Sequence, residues 1–187
     1  MVNDEKSLSA EEAYALGTDY QFETEEHILG PWTSYSILND PKHLVFTLGR
    51  YKFCAKLLEG RESVIEVGPG DGIGLPIIAQ AVKKVYAVDW DQRLIDGNKR
   101  RLKDFKNIDH LCVDLNKQEL NLRADAAITI DVIEHLEEKF EDKFIQSIVK
   151  CLHPDGVLIT GTPNITASQY ASPRSEAQHI NLKSMKT

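Results

Sequence analysis

The chain is poor in cysteine. Its three, Cys54, Cys112 and Cys151, stand in apolar contexts without metal-ligand spacing. An odd number of such buried-looking thiols suits a reducing compartment. No apolar run approaches the ~20 residues of a membrane-spanning helix. The N-terminus, Met1 to Glu12, is polar and acidic rather than signal-like. Positive charge is also scarce, with 22 Lys and Arg against 29 Asp and Glu and a formal charge of −7. That balance argues against nucleic acid, whose binding rests on neutralised phosphates. The run Lys99, Arg100, Arg101 and Lys103 falls on an expected helix and reads as a solvated face. There is no internal repeat and no low-complexity tract. At 187 residues and 42% hydrophobic, the chain has the length of one domain and enough apolar side chains for its core. These absences predict a soluble cytoplasmic protein with no membrane partner.

What is present centres on Val64-Ile65-Glu66-Val67-Gly68-Pro69-Gly70-Asp71-Gly72-Ile73-Gly74. A short apolar run ends in an acid, breaks into alternating glycines and continues into a helix-compatible stretch. Strand, tight turn and helix in that order mark the place where α/β proteins bind nucleotides. A dinucleotide fingerprint reads G-x-G-x-x-G, and here its last position is Ile73 rather than glycine. A carboxylate two residues before the first glycine would repel a pyrophosphate. It suits a ligand bearing ammonium and sulfonium charges.

The rest alternates strand and helix. Strands are expected at 64–68, 85–89, 108–113, 126–131 and 157–160, the last after the turn Pro154-Asp155-Gly156. Helices are expected at 73–82 and 91–105, and over the stretch holding Phe140, Phe144, Ile148 and Leu152. Alternation of this kind implies a parallel sheet with right-handed crossovers. Upstream, Ser9-x-x-Glu12 is a capping box. Asp40-Pro41 opens an amphipathic helix over 41–58. Residues 1–40 form an N-terminal arm. Within it Gly30-Pro31-Trp32-Thr33-Ser34-Tyr35-Ser36 is nonperiodic, and is either a lid over the site or a packing strap. Residues 41–187 form the ligand-binding domain.

The glycine motif with its acid resembles motif I of class I S-adenosylmethionine (SAM)-dependent methyltransferases. The resemblance covers about residues 41–182. It implies a Rossmann-like sheet, strand order 3-2-1-4-5-7-6, SAM as cofactor and methyl transfer as the reaction. Only about 26 residues follow strand five and they do not read as two strands, so the order 3-2-1-4-5 is expected. The chain is then a truncated or short form. Strand five becomes an edge to be covered by a helix or by a second copy, because open edges invite association.

Ligands in such sheets sit beyond the carboxyl ends of the strands. Glu66, Gly68, Pro69, Gly70 and Gly72 form the first cofactor contact. Asp89 ends strand two, 21 positions after Gly68, where an acid accepts from ribose hydroxyls. Capping the next helix is the alternative role, which Asp91 could fill instead. Trp90 and Leu115 are candidates to sandwich the adenine, or ordinary core. By the resemblance, Asp114 meets the adenine amino group; helix capping is its other reading.

Strand four ends Asp131-Val132-Ile133-Glu134-His135. This resembles the fourth motif of ubiquinone-pathway and small-RNA 2′-O-methyltransferases, some of which hold a divalent ion there. The resemblance makes Asp131, Glu134, His135 and a distant His179 the matching ligands, although the family more often has glutamate at the position of Asp131. Asp131 also borders the cofactor. Without metal, His135 is the natural general base, with Glu134 and His179 beside it; Glu134 and His135 can also merely shape the pocket. Asn164, Tyr170 and His179, on the polar loop after strand five, are the substrate-side choices. His27, His43, His110 and His153 have no companions at ligand spacing. The reading is O-methylation of a small molecule or saccharide. A SAM-binding but catalytically incomplete protein is the alternative, and a nicotinamide-dependent oxidoreductase ranks below both.

Overall fold

Helices begin where the capping chemistry places them in the computed structural model, which describes residues 8–22, 25–171 and 173–184. The Ser9–Glu12 box closes reciprocally: Ser9 N donates to Glu12 Oε2 at 2.8 Å and Glu12 N to Ser9 Oγ at 3.1 Å, opening α1 (Ala10–Phe22). Asp40 Oδ1 accepts from His43 N at 3.2 Å and Pro41 takes the first helical position of α3 (Pro41–Leu58). Both devices satisfy amides that a helix start leaves unpaired. One segment departs from expectation. The stretch around Trp32 is a helix, α2 (Pro31–Asn39), with Gly30 as N-cap and Pro31 at N1. Its apolar residues lack a clean period because Thr33 is its buried anchor; Pro31 was the local clue.

Five strands follow: β1 (Ser63–Val67), β2 (Lys84–Asp89), β3 (Ile108–Cys112), β4 (Ala124–Ile130) and β5 (Leu152–Gly161). They form one sheet in the order β3-β2-β1-β4-β5, and every pair is parallel. The helices α4 (Leu75–Ala81), α5 (Gln92–Arg101) and α6 (Glu138–Val149) lie between them in sequence. Crossover helices cover both faces, so the central strands are buried nearly throughout. One core layer joins Tyr51, Cys54 and Leu58 of α3 and Leu75 and Ile78 of α4 to Val64, Val85 and Ile128. The other joins Phe144 and Ile148 of α6 to Ile65, Val67 and Val88. Each wholly buried Leu or Ile contributes on the order of 1.5–3 kcal/mol.

Helix α5 stops at Arg101, short of the expected end, where Leu102 N donates to Asn98 O at 2.8 Å. The turn expected at Pro154–Gly156 lies within β5. There the ladder shifts, with Ala124 facing Leu152 but Ala126 facing Val157. Arg123 Nη1 donates to Leu152 O at 2.7 Å and holds the irregular start in place. Cys112 is exposed, against the reading that all three thiols are buried; Cys54 and Cys151 are buried. It faces outward because β3 is the edge of the sheet.

After β5 come a 3-10 turn (Ile165–Tyr170), the short α7 (Pro173–Gln178) and one isolated bridge, Asn164 with Lys183. Among the described residues no strand pairs with the outer edge of β5, and Val157 on it is 41% exposed. No helix among them is long and apolar enough to cross a membrane.

Candidate active site

The glycine loop leaves β1 and folds under two carbonyls. Gly68 N donates to Val88 O at 2.8 Å, and Gly72 N to Pro69 O at 3.0 Å. Gly68 and Gly70 have φ of +74° and +58°, in the left-handed region that favours glycine. Space is tight as well: a Cβ on Gly68 would come within 2.5 Å of Val132 Cγ2, and one on Gly70 within 2.7 Å of the Trp32 ring. The loop therefore touches both the end of β4 and helix α2.

Several residues that brace this loop were not singled out from sequence. Asn98, fully buried, donates from Nδ2 to Gly70 O at 2.8 Å. Arg101 donates to Asp71 O at 3.2 Å and to Asn98 Oδ1 at 2.8 Å. Arg101 thus leaves the solvated face assigned to it, because its guanidinium meets loop carbonyls instead of water. Asp71 receives two bonds from α2, Thr33 N at 2.8 Å and Thr33 Oγ1 at 2.9 Å. Only the positive φ-prone glycines announced the loop; its supports are long-range and carry no local signal.

Glu66 requires a correction. The carboxylate is not a free charge at the strand's end but is 1% exposed beneath the loop. Tyr51 Oη donates to its Oε1 at 2.7 Å, while Oε2 has no partner. Burial raises its pKa from 4.5 to about 7, and the bond from Tyr51 acts only partly against that. At neutral pH its charge is therefore partial. Tyr51 itself is pushed well above its usual range, first by burial and then by Glu66.

Asp89 ends β2 and is 6% exposed. Its Oδ1 accepts from Asp91 N at 3.0 Å. Burial raises its pKa, against the lowering effect of the Asp91 and Gly70 amides. Asp91 caps α5 by accepting from Arg93 N at 2.9 Å, so Asp89 is not needed as the cap. Trp90 is 72% exposed, whereas Leu115 is buried at 5%. Asp114 takes the Asn116 amide at 3.0 Å and pairs with Lys117 at 2.9 Å, which holds its carboxyl below the usual range.

Beyond β4 the chain turns sharply. Asp131 has φ +55°, a left-handed conformation rare outside glycine. It is ion-paired to Arg50 of α3, a residue absent from the sequence reading. The pair is only half satisfied: Arg50 Nε and Asp131 Oδ1 are both buried without partners. Asp131 does not join the metal-ligand grouping expected of it, since Arg50 occupies it. Glu134, His135 and His179 do converge, with ligand-capable atoms all within 4.8 Å of one another. Glu134 is fully buried; Thr162 Oγ1 donates to its Oε2 at 3.1 Å and Oε1 is unpartnered. Burial raises its pKa. His135 Nδ1–H donates to Gln178 O at 3.1 Å, which leaves Nε2 as the free acceptor. The His135 and His179 rings meet edge-on at 5.1 Å, and burial followed by His135 lowers the pKa of His179.

The C-terminal segment clamps this cluster. Asn181 N donates to Glu134 O at 3.1 Å, and Asn181 Nδ2 to Glu141 Oε2 at 2.8 Å. Of the expected substrate residues, His179 joins the site. Asn164 instead caps the 3-10 turn through Thr166 N at 2.9 Å, and Tyr170 is 83% exposed.

Comparison with known proteins bears on the family and the fold. A family profile described as a methyltransferase domain matches residues 43–187. A probable S-adenosylmethionine-dependent methyltransferase of Mycolicibacterium smegmatis is 29% identical over 115 residues, covering 61% of this chain and 42% of that protein. The ubiquinone biosynthesis O-methyltransferase of Rickettsia akari is 32% identical over 119 residues, covering 63% and 46%. The N-methyltransferase NodS of Bradyrhizobium japonicum, solved with S-adenosyl-L-homocysteine (SAH), superposes with a TM-score of 0.58 at 20% identity, over 76% of each chain. The chain spans less than half the length of the two curated relatives named here. With five parallel strands in this order and a profile match over most of its length, the chain belongs to the methyltransferase-domain family, with the Rossmann-like sheet of the class I SAM-dependent enzymes.

Proposed function

We propose that this chain binds SAM across the glycine loop and transfers its methyl group to a hydroxyl of a small-molecule acceptor, saccharides included. The observation that carries the reading is a set of unpartnered buried atoms at the carboxyl ends of β1 and β4: Glu66 Oε2, Asp131 Oδ1 and Arg50 Nε, the last paired through its guanidinium with Asp131. Two acceptors and one cationic donor complement an amino-acid end, with its ammonium and carboxylate, and buried polar atoms without partners call for such an explanation. SAM supplies an electrophilic methyl on a sulfonium. Asp89 accepts from the ribose hydroxyls, and Glu66 and Asp131 favour the ligand's positive charge. His135 Nε2, kept free by the Nδ1–Gln178 bond, takes the acceptor's proton, while the fold holds the two reactants together.

A divalent ion is the second reading, favoured by the convergence of Glu134, His135 and His179. One carboxylate oxygen and two imidazole nitrogens suit a borderline ion, and the unpartnered Glu134 Oε1 fits a ligand role. Such an ion would lower the acceptor hydroxyl's pKa. Among the described residues no strand pairs with the outer edge of β5, and a homo-oligomer covering that edge is expected, which sedimentation tests.

The deciding experiment is calorimetry with SAH together with transfer of labelled methyl to a hydroxyl-compound library. His135→Ala is expected to keep SAH binding and lose turnover. Turnover that survives EDTA removes the ion. SAH binding with no acceptor found in any pool favours the catalytically incomplete alternative.

A further inference from the structure

Away from the glycine loop, helix α3 and strands β4 and β5 enclose a groove of about 670 Å³. Its walls are Val45, Phe46, Phe53, Ile130 and Ile159, and Arg50 stands in it. Phe46 and Phe53 are 67% and 61% exposed, a large apolar area to leave in water. The volume is that of a small-molecule site. The groove reaches Ile130 and Gly161, the carboxyl ends of β4 and β5. The next residues in each strand lead into the site: Asp131 pairs with Arg50, and Thr162 bonds Glu134. A molecule in the groove therefore has one end beside the catalytic cluster.

Two properties define what fits. The walls are largely apolar, with the Arg50 guanidinium and the Thr160 hydroxyl as their main polar groups, so most hydroxyls of a saccharide would lose hydration without compensation. Helix α3, which forms one wall, is basic. Helix α3 carries Lys42, Arg50, Lys52 and Lys56 and no acidic residue, in a chain of formal charge −7. Lys42 precedes Phe46 by four positions and Lys52 follows Gly49 by three, spacings that put both ammonium groups beside the groove face. Neither forms an ion pair among the described residues, whereas Lys56 pairs with Glu59.

We propose that this groove holds the body of the methyl acceptor, and that the acceptor is an apolar, anionic small molecule such as a hydroxyaryl carboxylate rather than a sugar. The proposal rests on the methyl-transfer reading above and narrows its substrate class.

The test is calorimetric titration of the full chain with 6-hydroxy-2-naphthoate, 2-naphthol and methyl α-glucoside. Saturable 1:1 binding is expected for the naphthoate, severalfold weaker binding for 2-naphthol and none for the glucoside. Phe46→Glu is expected to weaken the naphthoate at least tenfold. Phe53→Glu repeats the test at a second exposed position. Naphthoate affinity unchanged in both variants, glucoside binding as tight as the naphthoate, or no saturable binding of any of the three overturns the assignment. SAH is titrated alongside. Binding of SAH without the naphthoate sinks the groove and leaves methyl transfer standing; binding of the naphthoate without SAH does the reverse.

Discussion

Around the glycine loop, nearly every bend is backed by another side chain: Asn98 and Arg101 under its carbonyls, Thr33 on Asp71, Tyr51 on Glu66. Beyond β4 the arrangement is the opposite. Asp131 is half paired, Glu134 keeps an unpartnered oxygen, and Phe46 and Phe53 face solvent. A cofactor common to a family can be met by a largely preformed surface, which here leaves Glu66 Oε2 as its open acceptor. An acceptor is met where polar atoms and apolar area wait for a partner. The contrast predicts that substitutions on the loop side act on cofactor affinity and stability together, and that those beyond β4 act on turnover.

The hardest way to break the loop side is Gly68→Val. The side chain would enter the space of Val132 Cγ2 at a positive φ. Overpacking of that kind costs about 1–3 kcal/mol in stability. SAH binding should fall at least ~100-fold by calorimetry; wild-type affinity would dissociate the turn from the cofactor.

Glu66→Gln sharpens the contrast by moving stability and binding in opposite directions. Glu66 has a folded-state pKa of about 7 against an ordinary 4.5. The folded empty protein therefore retains a proton that the unfolded chain releases. The associated stability is full below pH ~4.5 and is lost as pH rises to ~7. Glutamine removes this dependence and keeps an acceptor for Tyr51. Thermal melts at pH 8 should show the variant more stable than wild type, by up to about 3 kcal/mol, with weaker SAH binding. Parallel pH profiles for the two proteins would remove the buried-acid account.

Asp89→Ala should reduce SAH affinity by about 1–3 kcal/mol through lost hydroxyl acceptance, read by calorimetry. An unchanged value rejects the ribose role. The smallest effect is expected of Thr33→Val, which deletes the hydroxyl bond to Asp71 but keeps the amide bond. A loss of about 1 kcal/mol is expected, seen as a lower melting temperature with SAH present. If turnover drops while melting and SAH affinity hold, α2 belongs to the acceptor side instead.

The sequence carried the frame because its signals are local. The Ser9 and Asp40 caps, the glycine spacing and the apolar runs each act within a few residues. The place of Asp89 at the end of β2 was legible for the same reason, at a fixed offset after the glycines. The supports were not. Arg50 reaches Asp131 across 81 positions and Thr33 reaches Asp71 across 38, and no local pattern encodes such pairings. The expected set of Asp131 with Glu134 and His135 failed on that point, since a distant arginine claims the first member. The surroundings of Glu66 were hidden too, because strand position alone reveals neither its burial nor the bond from Tyr51.

The chain has two tryptophans. Trp32 lies against Gly70 and Trp90 directly follows Asp89. One indole thus stands at each of two segments expected to hold the cofactor, and no third chromophore of their kind dilutes them. If the cofactor lies across these segments as proposed, ultraviolet emission is expected to change on its binding, readable in a cuvette without dye or label.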